Sequence, residues 1–225
     1  CIRDRGNSLA EGEIHGQNGG YPIAIALSND AVKLAVSMIN INEGSVKSTI
    51  AFYNYGTVGQ NEIDHCVGVN NYDDMVIPEM EFTSNDRMVA FGDTKAVIFE
   101  GAQKPQAIAE IPMDEKTKSI FYNEHYIGIV TGNEDEAVTN HLAVYDENGK
   151  LVMEKDFGLD YSSIEFLTNN EICIRNANVC DIYTVHGVYK FHHEFEEELF
   201  EIIPGKLKLN YTLVLKDTTQ RIRLK

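Results

Sequence analysis

Between Tyr21 and Gln60 the apolar residues alternate twice in succession, first Ile23, Ile25 and Leu27, then Val32, Leu34 and Val36, on either side of Ser28-Asn29-Asp30. Alternation at period two sends every second side chain to the same face of an extended chain, and a Ser/Asn/Asp cluster between two such runs reads as a β-hairpin. A third run, Thr49 to Asn54, follows a loop carrying Asn42, Glu43 and Gly44, which makes an antiparallel meander. Versions of this unit recur. Asparagines at the turn of the innermost strand pair fall at Asn29, Asn85, Asn123, Asn170 and near Asn210, a mean spacing of about 45 residues that matches a propeller repeat. The pattern predicts an all-β fold: a β-propeller of four-stranded antiparallel blades.

The repeat predicts a single propeller domain over residues 1–225, with blades at approximately 20–70, 75–111, 116–157 and 160–195. A shared or incomplete blade is expected from 1–16 together with 196–225. Tight connections are expected at Gly92-Asp93, at Gly101 to Pro105, and at Asn148-Gly149, the strongest short hairpin signal in the chain. Residues 1–16 resemble the later segment Val144 to Gly158 and read as the outer hairpin of a blade. A propeller commonly closes by sharing one blade between its two chain ends, which would give about five blades. Both ends, however, look like third strands around Ile2 and Ile222. That redundancy points instead to the C-terminal part of a seven- or eight-bladed ring. The segment His192 to Phe200 is rich in helix-forming glutamates but lies between two strand patterns.

A length of 225 residues is enough for a substantial core. The net charge of −16 argues against nucleic acid and anionic membrane surfaces, since both are held by clustered Lys and Arg. There is no apolar run of bilayer-spanning length. The chain starts at Cys1 rather than Met, so something upstream is expected to have been removed.

Cys173 and Cys180 lie on the two arms of the hairpin EICIRNANVCDIY and are expected to face one another. Directly opposed residues come within disulfide reach, and a bridge would fit an oxidising compartment. The other reading is two small apolar residues on one sheet face. Cys1 and Cys66 have no evident partner. The neighbours His65 and Cys66 point to opposite faces, as do His192 and His193 beside Glu194, so neither group makes a chelating set. The acidic loop Asn133 to Asn140 lacks an ordered calcium pattern, and Asp73-Asp74 has no second carboxylate placed for glycoside chemistry. No catalytic elbow, phosphate loop or dinucleotide fingerprint occurs. The expected catalytic, cofactor-binding and metal-binding residues are therefore none. Phe52, Tyr53, Phe99, Tyr145 and Tyr183 fall at equivalent third-strand places and are expected to pack blade on blade. Tyr55, Tyr72, Tyr122 and Tyr126 sit nearer turns and are the candidates for an exposed contact surface.

The runs IALSNDAVKLAVSMI, IAFYNYGTVGQN, SIFYNEHYIGIV and LAVYDENGKLV resemble WD40-like or quinoprotein-like propellers. More closely, nearly the whole chain resembles an uncharacterised domain-of-unknown-function family of membrane-anchored Gram-positive bacterial proteins. That resemblance implies an extracytoplasmic propeller behind an N-terminal transmembrane anchor, at the bacterial cell surface. The chain has no Trp, hence neither a Trp-Asp pair nor a tryptophan docking motif, and no quinone cofactor is expected. Three functions follow as expectations. The first is a non-catalytic interaction scaffold or sensor for a protein or glycan partner. The second is a hydrolase with a metal or paired carboxylates at the propeller axis. The third is a cytoplasmic WD40-type hub with reduced cysteines.

Overall fold

The computed structural model describes residues 20–42, 44–56, 65–113, 116–132 and 139–224. Every regular element among them is a strand, and every pairing is antiparallel. The expected N-terminal hairpin 1–16 and most of the acidic loop 133–140 lie outside the described residues.

Two compact units, Cys1–Glu115 and Lys116–Lys225, make up the chain. In the first, β1 (Tyr21–Leu27), β2 (Lys33–Asn42), β3 (Ser45–Asn54) and β4 (Cys66–Asp73) form one sheet in sequence order. A second sheet, likewise in order, comprises β5 (Glu79–Ser84), β6 (Arg87–Phe91), β7 (Lys95–Glu100) and β8 (Gln106–Pro112). In the second unit, β9 (Thr117–Tyr122), β10 (Tyr126–Gly132), β11 (Asn140–Asp146) and β12 (Leu151–Phe157) make one sheet. They are followed by β13 (Ser163–Phe166), β14 (Glu171–Arg175), β15 (Val179–Thr184) and β16 (Tyr189–Glu194). A last sheet has three strands, β17 (Leu199–Pro204), β18 (Asn210–Leu215) and β19 (Thr219–Arg223). No helix forms between His192 and Phe200: β16 runs to Glu194, which pairs with Val179, and β17 starts at Leu199, which pairs with Leu215.

Each sheet in the first unit turns one apolar face to the other. Ala26, Ala35, Ile50 and Phe52 meet Met80, Phe82, Met88, Ala90, Val97 and Phe99 in one buried cluster. Phe52 and Phe99, two of the expected blade-packing aromatics, have ring centroids 5.1 Å apart. In the second unit the β13–β16 sheet is buried on both faces. Ile172 and Ile174 pack with Val130, Leu142 and Val144, while Cys173, Cys180 and Ile182 pack with Leu199, Tyr211 and Leu213. The unbroken apolar run Ile172-Cys173-Ile174 is the signature of such a doubly covered strand.

The four complete sheets share one irregularity. Where the third strand meets the fourth, the register slips between Phe52 and Tyr53, Ile98 and Phe99, Val144 and Tyr145, and Ile182 and Tyr183. The third-strand aromatics thus mark a recurrent β-bulge, in which Val67, Ile108, Val152 and Lys190 are the extra outer-strand residues.

Two of the expected blade bounds differ from the structure. The outer strand of the first sheet, Cys66–Asp73, runs past the expected blade end at 70. The inner strand of the second sheet begins at Glu79, after the expected blade start at 75. Met75 and Ile77 are buried, which is why they look like strand, yet their carbonyls accept hydrogen bonds from Ser48 Oγ (2.7 Å) and Ser37 Oγ (2.8 Å) instead of joining a ladder. Both serines are fully buried. Removing one leaves a carbonyl unsatisfied inside the core, so Ser48→Ala is expected to cost about 1–2 kcal/mol in urea unfolding. The neighbouring Thr49→Ala, which loses only an exposed contact to Asn71, should stay within about 0.5 kcal/mol.

Candidate functional site

The turn asparagines that carry the repeat are also what link neighbouring sheets. In the first unit the Asp30 amide donates to Asn85 Oδ1 at 3.0 Å, and Lys33 Nζ donates to the Asn85 carbonyl (2.7 Å) and Asp86 (2.6 Å). In the second unit Asn123 Nδ2 donates to Asn170 Oδ1 at 2.8 Å. Asn170 takes the left-handed conformation, φ 61°, that its turn requires.

A more concentrated polar group lies in the second unit. The bulge position that holds Val67, Ile108 and Val152 elsewhere holds Lys190 on β16, and its ammonium reaches Glu171 at the start of β14. The Tyr211 hydroxyl, from β18, donates to the other carboxylate oxygen at 2.5 Å and lies 3.3 Å from Lys190 Nζ. Glu171 and Tyr211 are buried and Lys190 is partly so. Burial alone would push the Glu171 carboxyl up, but hydrogen bonds from Lys190, Tyr211 and Asn169 outweigh it and hold the carboxyl below the usual range. Burial likewise works against the Lys190 charge, and Glu171 and Tyr211 more than restore it, so its value is raised. Burial and the Glu171 contact raise Tyr211. Lysine and carboxylate are thus both charged at neutral pH and satisfy each other. That arrangement ties the β13–β16 sheet to the β17–β19 sheet and leaves neither group poised to exchange a proton near pH 7. Single residues in the sequence do not reveal this cluster. The one available signal was a lysine at a position that is apolar in the three other blades.

Cys173 and Cys180 come together, though not as expected. Cys173 pairs with Ile182 and Cys180 with Arg175, so the cysteines are diagonal rather than directly opposed. Asn176 sets this register: its Oδ1 accepts the amides of Asn178 and Val179 and closes the turn one residue beyond the symmetric position, which offsets the pairing by two. The offset is even, so both side chains remain on one face, buried, as thiols with sulfurs 3.6 Å apart. The Cys180 contact and burial together raise the Cys173 thiol.

The four candidate tyrosines do not form one exposed surface. Tyr55 is 37% exposed and its ring packs at a tilt against His65, centroids 4.9 Å apart. Tyr72 packs against the core of the first unit, and burial with the Glu110 charge pushes it up to about 12. Tyr126 packs against the core around Phe121 and Phe166, and Tyr122 is half-buried. Nearness to a turn was a poor guide, because a strand directs its side chains by parity up to its last residue.

Among the described residues no three His, Cys, Asp and Glu side chains are placed to hold a metal ion. Asp73 pairs with Lys47 at 3.2 Å, and His192 with Asp181 at 2.7 Å. A groove of about 510 Å³ opens beside β16 and β19, lined by Phe191, His193, Phe195, Gln220, Ile222 and Leu224 among others. Its charged lining residues are Glu194, Glu196, Glu197 and Arg223.

A model for a family described as "Family of unknown function (DUF5711)" matches residues 1–224. No curated protein matches the chain. Among solved structures, the β-propeller domain of the Trilobed protease from Pyrococcus furiosus is 10% identical, with a TM-score of 0.50. That match covers 90% of this chain and 70% of the other. BamB from Moraxella catarrhalis is 11% identical (TM-score 0.44), covering 89% of this chain and 58% of that one. The Neurospora crassa Pan2 WD40 domain is 7% identical (TM-score 0.47), covering 89% and 61%. The chain thus spans about three fifths of the length of these last two structures. The Pyrococcus likeness, together with the all-antiparallel sheets, identifies the fold as an all-β propeller of four-stranded blades.

The Glu171 cluster sets a pH dependence. Glu171 has a folded value below the unfolded value of about 4.3, so its contribution is complete above that pH and is lost as pH falls through the folded value. Lys190 has a folded value above the unfolded value of about 10.4, so its contribution is complete below that pH and is lost as pH rises through the folded value. Glu171→Gln strands the lysine charge beside a buried phenol and is expected to cost about 2–4 kcal/mol at pH 7 by denaturant unfolding. The difference from wild type should shrink below pH 4.

Proposed function

The chain belongs to the Family of unknown function (DUF5711), and from that premise we propose that it is a non-catalytic propeller module serving as an interaction scaffold for a protein partner. The observation that carries this reading is an apolar row on β1. Ile25 lies opposite Val36 and Leu27 opposite Leu34, yet Ile25 is 61% exposed and Leu27 45%, with Ile23 exposed beside them. Val36, one strand further in, is fully buried. An open aliphatic row on an edge strand gains roughly 25 cal/mol for each Å² that a partner covers. Aliphatic side chains favour a protein surface over a glycan, which aromatic platforms suit better. The self-satisfied charges of the Glu171 cluster support a structural rather than catalytic use of the interior. A net charge of −16 is unfavourable for nucleic acid or anionic lipid.

The setting we propose is extracytoplasmic, following the family resemblance, with attachment through an anchor upstream of Cys1. In an oxidising compartment Cys173 and Cys180, already in contact, would be bridged. Protein recovered from such a compartment should then show two reactive thiols, Cys1 and Cys66, when denatured without reductant. Four would count against the setting.

A photo-crosslinking residue at Ile25, introduced in the native cell, should give a discrete protein adduct. The same residue at Glu110 should not. Ile25→Asp with Leu27→Asp should reduce partner binding at least about tenfold with unfolding stability unchanged. The scaffold reading fails if no adduct forms at Ile25 or if the double variant binds as well as wild type.

A further inference from the structure

Cys173 on β14 and Cys180 on β15 hold their thiols 3.6 Å apart, yet both residues are 0% exposed. Thiol–disulfide exchange needs the attacking sulfur to touch the oxidant's sulfur, which neither cysteine can do while buried in this way. The Cys180 contact and burial also hold the Cys173 thiol above its ordinary range, so the reactive thiolate is scarce.

What covers the pair is the last sheet. Leu199 and Ile202 from β17 and Tyr211, Leu213 and Leu215 from β18 share one buried cluster with the two cysteines. Polar contacts fasten this cover to the sheet beneath. Beside the start of β14 the Tyr211 hydroxyl donates to Glu171 at 2.5 Å. Beside its end Arg175 donates to the Leu199 carbonyl at 3.2 Å, and the Leu199 amide donates to the Ala177 carbonyl at 2.7 Å. Supersecondary units of this kind open separately, at free energies below that of global unfolding.

We propose that Cys173 and Cys180 are a covered redox pair: the β17–β19 sheet is the cover, and dithiol and disulfide interconvert only while it is lifted from the β13–β16 sheet. With the cover lifted, one cysteine thiolate attacks a small-molecule disulfide such as glutathione disulfide, forms a mixed disulfide and releases one glutathione thiolate. The second cysteine then attacks the chain's own sulfur in that mixed disulfide, which closes the bridge and releases the second glutathione. The chain loses two electrons, and its two thiol protons end on the two glutathiones. Once the sheets have closed, the pair keeps the state it had at that moment. The inference goes beyond the scaffold reading and uses neither the β1 row nor the compartment.

The test follows oxidation by glutathione disulfide of the full chain carrying Cys1→Ser and Cys66→Ser, with the remaining thiols counted by alkylation and mass spectrometry. The folded dithiol chain should oxidise at least about a hundredfold more slowly than the same chain unfolded in urea. Chain refolded with glutathione disulfide present should carry the bridge and, once folded, resist dithiothreitol by a similar factor. Tyr211→Phe, which unfastens one end of the cover, should speed oxidation of the folded chain at least about tenfold. Ser48→Ala, in the first unit, should change it less than about twofold. Sub-denaturing urea should raise the rate more shallowly than it promotes global unfolding. The proposal is overturned if folded and unfolded chains oxidise alike, if no bridge forms on refolding, or if Tyr211→Phe leaves the rate unchanged. Equal acceleration by Tyr211→Phe and Ser48→Ala, or a urea dependence equal to that of global unfolding, also overturns it, since the opening would then be unfolding of the whole chain. Crosslinking at Ile25 is indifferent to each of these results, so the scaffold reading stands or falls separately.

Discussion

The structure depends on the mutual covering of sheet faces. A four-stranded sheet that is apolar on both sides is not stable alone in water, and its faces are covered only when another sheet lies against them. Ile172, Cys173 and Ile174 show the constraint within one strand: the two isoleucines belong to one inter-sheet cluster and the cysteine to the next. Phe52 against Phe99 is the equivalent contact in the first unit. Burying each such side chain contributes about 1.5–3 kcal/mol, so a few rows of them outweigh any single polar contact between sheets.

The polar contacts act on geometry more than on total stability. Asn85, Asn170 and Lys33 join turn to turn, while Ser37 and Ser48 hold the connection at residues 75–78 by its carbonyls. The recurrent bulge after the third-strand aromatic re-aims one outer-strand residue in every complete sheet. In three sheets that residue is aliphatic. In the fourth it is Lys190, and the same backbone device then delivers an ammonium to Glu171 and Tyr211. One local irregularity, repeated by the fold, thus produces either plain packing or an ionic bracket according to a single side chain.

The same logic bears on the proposed scaffold role. Sheets cover one another face to face, and that proposal rests on a row that stays exposed, Ile23, Ile25 and Leu27.

The order of strands, their grouping in fours and the third-strand aromatic positions were all legible in the chain, because alternation and turn residues are local properties. Tyr55, Tyr72, Tyr122 and Tyr126 could not be sorted into exposed and packed, since that depends on the parity of each strand and on what lies over it. Met75 and Ile77 looked like strand because they are buried, and only the hydroxyls of Ser37 and Ser48 distinguish a buried connection from a ladder. The cysteine hairpin was found, but its register was decided by the Asn176 side chain. Glu171, Lys190 and Tyr211 lie on three strands and meet only once two sheets are packed. The sequence by itself therefore determined the repeating unit, through periodicity along the chain. Tertiary structure decided which charges are buried together and which apolar rows remain uncovered, because both depend on what lies across a sheet face rather than along a strand.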